Sequence, residues 1–116
     1  RRNILLTLLA SAVLLTGCAE PPPAPPATDT LEAEPLVEQR ILEATDAVKA
    51  DPTSAEAWGR LGEIYDIHRF AEQALVCYEQ ASKIDPDEWL WPYFSGIVSR
   101  ESDQAAAVAH FERAID

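Results

Sequence analysis

Basic residues, glycine, cysteine and long apolar runs are all scarce in this chain of 116 residues. Nine Lys and Arg stand against 20 Asp and Glu, a formal net charge of −11. Affinity for nucleic acid rests largely on Lys and Arg neutralising phosphates, so this balance argues against a nucleic-acid partner. Two cysteines cannot build a dense disulfide framework or a four-Cys zinc site. Four glycines in a chain that is 47% hydrophobic favour a helical globular body over a disordered one. The chain has no Gly-rich phosphate loop, Cys-x-x-Cys or nucleophile elbow, and neither His68 nor His110 sits in a metal-ligand spacing. Cys77, a lone thiol on a helix, reads as a small packed hydrophobe. Paired carboxylates such as Glu63 and Asp66 read as solvated helix surface. No catalytic residue, metal or cofactor is assigned. The length leaves room for one small domain, so the chain reads as a non-enzymatic module.

The longest apolar run, Ile4 to Leu15, has twelve residues interrupted only by Thr7 and Ser11. A spanning helix needs about 20 apolar residues. Preceded by Arg1 and Arg2, the run has the length and flanks of a signal-peptide apolar region. The missing Met suggests that a few residues precede Arg1. The run ends in Leu15-Thr16-Gly17-Cys18, leucine and two small residues before a nucleophilic thiol. This tetrapeptide resembles the bacterial lipobox. The resemblance implies a diacylglyceryl group on the Cys18 sulfur, cleavage between Gly17 and Cys18, and acylation (typically palmitate) of the new amino terminus. Ala19, where an Asp would retain a lipoprotein in the inner membrane, implies the outer membrane facing the periplasm of a Gram-negative cell. The alternative is an ordinary secretory signal with an incidental Cys.

Residues 1–17 thus read as signal peptide and 18–35 as lipidated Cys plus tether. Positions 19–35 hold six of the nine prolines and almost no large apolar side chain. Such a segment is expected to stay extended and unpacked, a spacer reaching roughly 50 Å in polyproline II form at about 3.1 Å per residue.

Beyond Pro35 the periodicity is helical, with a leading helix over 36–52 and a paired-helix region over 53–116. Trp58, Leu61, Gly62 and Tyr65 share one helix face, and Ala74, Tyr78 and Ala81 share another. Thr53 and Glu56 read as a capping box, His68-Arg69 as the turn, and Asp85-Pro86 as the stop. A shift of 33 residues carries Trp58 to Trp91, Leu61 to Phe94, Gly62 to Ser95, Tyr65 to Val98, Ala74 to Ala107, Tyr78 to Phe111 and Ala81 to Ala114. Upstream, a shift of 34 carries Asp85-Pro86 to Asp51-Pro52. Such a period marks stacked helical hairpins. Pro92 is compatible with a helix starting at Leu90 or Trp91. Trp91 reads as core, whereas Trp89 is open to packing or binding. The last helix, Asp103 to Ile115, offers Ala107, Val108, Phe111 and Ile115 to a further neighbour, so the chain reads as a fragment of a longer array.

Trp58-x2-Leu61-Gly62-x2-Tyr65, then Ala74-x3-Tyr78-x2-Ala81 and Pro86, resembles one complete tetratricopeptide repeat over 55–88, with a second, incomplete one over 88–116. The resemblance implies an all-α fold of antiparallel hairpins stacked as a right-handed solenoid. It further implies a concave partner groove along the first helix of each repeat: Glu56, Gly59, Glu63, Asp66 and Ile67, then Trp89, Pro92, Gly96, Ser99 and Arg100. The Lys and Asn with which some members clamp a peptide carboxylate are absent. Acids stand there instead, which either select a basic or apolar protein segment or merely keep the surface soluble. The expected function is a membrane-anchored scaffold recruiting protein partners for envelope assembly. The rivals are the N-terminal adaptor of a larger enzyme and a binder of peptidoglycan or another small ligand through Trp89.

Overall fold

A computed structural model describes residues 20–29 and 31–116. The expected signal peptide over residues 1–17, and Cys18 and Ala19, lie outside the described residues. The fold is all-α. Five helices follow one another: α1 (Pro35–Ala50), α2 (Ala55–Ile67), α3 (Ala71–Ile84), α4 (Leu90–Ser99) and α5 (Gln104–Ile115). Each packs against its chain neighbour, and the short connections turn α2 back on α3 and α4 back on α5 as two hairpins.

Local chemistry sets the helix ends. Pro35 occupies the first turn of α1, where a missing N–H costs nothing. Asp51 and Asp85 close α1 and α3, their N–H groups donating to Ala47 and Ala81 carbonyls before the prolines that follow. The α2 cap is Ser54, a correction to the Thr53–Glu56 box. Ser54 Oγ accepts from the Ala57 N–H at 3.1 Å, while the Thr53 hydroxyl donates to Asp51 Oδ1 at 2.9 Å and is engaged in the turn. Asp103 caps α5 in the same way, accepting from the Ala106 N–H at 3.0 Å. Between α2 and α3, Arg69 adopts φ 68°, and the Phe70 N–H reaches back to the Tyr65 carbonyl, a Schellman-type stop.

Trp58, Leu61 and Tyr65 of α2 are buried against Ala74, Cys77, Tyr78 and Ala81 of α3, with Ile41 and Val48 of α1 on the other side. Pro52 offers its carbonyl to Trp58 Nε1 at 2.9 Å, which satisfies the indole in the core. Small residues admit rings. A Cβ on Gly62 would lie 2.8 Å from the Tyr78 ring, and one on Gly59 would collide with Trp91. Trp91 also stacks on Tyr78 at 6.5 Å, and Phe94 meets Tyr78 at 5.4 Å, which couples the second hairpin to the first. Within the second hairpin, Ala107 is buried, Ala114 is half-buried, and the Phe111 ring lies over Gly96.

The proline-rich segment corrects the expectation of an unpacked spacer. Pro25 and Pro26 are half-buried, the Tyr65 hydroxyl donates to the Pro26 carbonyl at 3.4 Å, and Leu31 packs on the core. A chain already extended by proline loses little entropy on docking, so modest apolar contact suffices to hold it.

Candidate functional site

On α2, Glu56, Glu63 and Ile67 recur at seven and four residues, a stripe opposite the buried Trp58–Leu61–Tyr65 face. Glu56 pairs with Arg60 at 3.4 Å, both side chains well exposed, so the pair contributes little to stability. Ile67 ends the stripe at 73% exposure, an apolar side chain open to contact. Asp66 lies beside it, half-buried, with Oδ2 accepting from the Tyr78 hydroxyl at 3.4 Å. Burial first, then the Asp66 and Glu63 charges, push the Tyr78 phenol far above its ordinary value, so it stays protonated and remains a donor to Asp66.

Asp66, Arg69 and Ala71 face Ile97, Val98, Arg100 and Glu101 across a cleft of about 200 Å³ between the C-terminal ends of α2 and α4. Asp66 and Arg100 line the same cleft, which therefore carries both signs of charge rather than acids alone. Its volume is below the 300–1,000 Å³ of typical ligand pockets, and it suits a side chain rather than a whole small ligand.

The remaining groove positions do not join this cleft. Glu56 is about 16 Å from Ile67 along α2 at 1.5 Å per residue. Trp89, 57% exposed, stands at the opening of α4, edge-on to Tyr93 at 5.8 Å. Glu56 and Trp89 therefore share one end of the hairpins, and Asp66, Ile67 and Arg100 the other. Gly59, Pro92, Gly96 and Ser99 are corrections. All four are buried, and at Gly59 and Gly96 the missing side chain admits the rings of Trp91 and Phe111. Of the apolar face assigned to the last helix, Val108 and Ile115 are exposed, while Phe111 is half-buried.

A second groove, between α1 and α2, has a floor of Ala44, Ala47, Ala57 and Ile64 flanked by Arg40, Glu43 and Arg60. Sequence reasoning missed it. The signal was there: Arg40, Ala44 and Ala47 lie on one face of α1, and Ala57, Arg60 and Ile64 on one face of α2.

Little in the interior is poised for reaction. Burial pushes the Cys77 thiol up to about 12, which leaves almost no thiolate near neutral pH. His110, the 33-residue equivalent of Cys77, is buried beside Arg113, with Glu79 Oε1 at 3.8 Å from Nε2. Among the described residues, no three His, Cys, Asp or Glu side chains gather as metal ligands, and no helix is long and apolar enough to cross a membrane. No protein-family model and no curated protein matches this chain.

Proposed function

We propose that the chain is a lipid-anchored scaffold of the tetratricopeptide type that recruits protein partners at the periplasmic face of the outer membrane. The observation that carries the reading is the seating of Trp91 over Gly59 and against Tyr78. Two hairpins related by the 33-residue shift bury the second's leading aromatic in the first, as serial hairpin arrays do. The lipobox-like Leu15-Thr16-Gly17-Cys18 supports the anchor. No catalytic residue or cofactor is assigned. The partner contact is a basic or apolar protein segment that meets the exposed Ile67 and the acidic stripe of Glu56 and Glu63, with Asp66 and Arg100 at the adjoining cleft.

Photo-crosslinkers at Ile67 and Arg100 in living cells test the recruitment. A discrete crosslinked species that disappears with Glu63→Lys, in a protein of unchanged thermal stability, supports it. Crosslinks that are absent, or indifferent to Glu63→Lys, overturn it. Globomycin tests the anchor separately, because blocked cleavage must raise the apparent mass of a lipoprotein; an unchanged mass and membrane fraction would refute that half.

A further inference from the structure

We infer that the end of the hairpins carrying the 51–54 and 85–89 turns is a membrane-apposed face, with the Trp89 indole seated in the bilayer interface. The inference rests on the proposed lipid at Cys18. It follows from where the proline-rich segment docks. Glu20 to Pro23, themselves exposed, line an open groove together with Pro52, Thr53, Lys83 and Ile84 at the C-terminal ends of α1 and α3. From there the segment passes Val48 and Lys49 and brings the Pro26 carbonyl to the Tyr65 hydroxyl, near the opposite end of α2. Only two residues of reach separate Glu20, on the rim of that groove, from Cys18, about 7 Å at 3.3–3.6 Å per residue. An acylated Cys18 therefore holds this end of the domain against the headgroups instead of letting the domain swing on a long leash.

The chemistry of that end fits a bilayer of one kind. Trp89 opens α4 immediately after the 85–88 turn, largely exposed, with Tyr93 one helical turn behind it. An amphipathic indole is the side chain that membrane–water interfaces favour most, along with tyrosine. At that end Asp51, Glu56, Asp85, Asp87, Glu88 and Asp116 outnumber Lys49, Lys83 and Arg113. The face thus suits a zwitterionic surface and is repelled by an anionic one.

The test uses the full lipidated chain, extracted from membranes and reconstituted into phosphatidylcholine vesicles whose acyl chains are brominated near the headgroup. Trp58 and Trp91 are buried, so a contact quencher reads Trp89. Part of the tryptophan emission is expected to be quenched, and Trp89→Phe to lose that part. Inserting about ten Gly/Ser residues between Ala19 and Glu20 adds roughly 18 Å of reach and should abolish the quenching while the lipid remains. Replacing part of the phosphatidylcholine with phosphatidylglycerol should weaken it at low salt. Radiolabelled palmitate separates the two readings. No label on Cys18 defeats the anchor and this inference together. A labelled chain whose emission escapes quenching, or whose quenching survives the insertion, overturns this inference alone. So does quenching of Trp89 by muropeptides in solution with none by vesicles, which would assign the indole to peptidoglycan.

Discussion

At the scale of single residues, the junction between hairpins depends on the missing side chain of Gly59. A Cβ there collides with the ring of Trp91, which is itself confined by its stack on Tyr78. Gly59→Ala gains up to about 1 kcal/mol of helix propensity but incurs overpacking of about 1–3 kcal/mol. A net loss is expected, read as a lower urea midpoint with an unchanged slope. The same substitution in a Trp91→Leu background should cost less, and equal costs in both backgrounds would show that the ring is not the obstacle. Arg69 presents the opposite case. Its φ of 68° is a left-handed conformation that glycine adopts freely and other residues only at a penalty of about 1–2 kcal/mol. Arg69 is exposed, so Arg69→Gly is expected to stabilise by about 1 kcal/mol, less the entropy of a freer unfolded chain. A fall in melting temperature would mean that the guanidinium contributes more than the backbone strain removes. The sequence placed the turn at His68-Arg69 but carried no glycine to mark which residue turns left-handed, so that feature was legible only as a location.

At the scale of elements, the helices were readable because three kinds of punctuation agree with the apolar period: capping hydroxyls or carboxylates, Asp-Pro stops, and proline in a first turn. Agreement across levels is what makes a local reading secure. The capping residue of α2 was the exception, since Thr53 and Ser54 are both good caps one position apart. Asp51 decides between them by accepting the Thr53 hydroxyl and leaving Ser54 to meet the helix. Ser54→Ala is therefore expected to cost about 1 kcal/mol, as is Asp103→Ala at α5, and Thr53→Ala clearly less than either. Chemical denaturation of the three variants checks the order; Thr53→Ala as the most damaging would restore the original capping box. The proline-rich segment was misread for a physical reason. Low hydrophobicity argues against packing in a flexible chain, but proline has already given up the freedom that packing would remove. The burial of Gly59 and Gly96 was hidden for a different reason. Position on a partner-facing helix says which way a residue points, but only the size of the opposing ring says whether it remains in view.

For the molecule as a whole, stability comes from neighbours in series, and the α3–α5 contact shows how one titrating group senses that assembly. His110 on α5 faces Glu79 on α3 and has Arg113 and Asp103 on its own helix and cap. Burial, and next the Arg113 charge, hold the imidazole below its ordinary value of 6.5, with the attraction of Glu79 and Asp103 working the other way. The folded chain therefore refuses a proton that the unfolded chain accepts. The sign follows: the contribution of His110 is fully present above about pH 6.5 and is lost as pH falls from there through the lower folded value. Urea unfolding at about pH 7.5 and pH 5.5 should show wild type losing more stability on acidification than His110→Gln, the difference cancelling carboxylates common to both. The direction is diagnostic. Were the Glu79 carboxylate the dominant neighbour, protonation would tighten the two hairpins, and wild type would gain on His110→Gln as the pH fell. A larger acid loss in wild type than in the variant instead shows that burial and the Arg113 guanidinium outweigh the Glu79 carboxylate at His110, because the proton must enter a buried site already crowded by a positive charge.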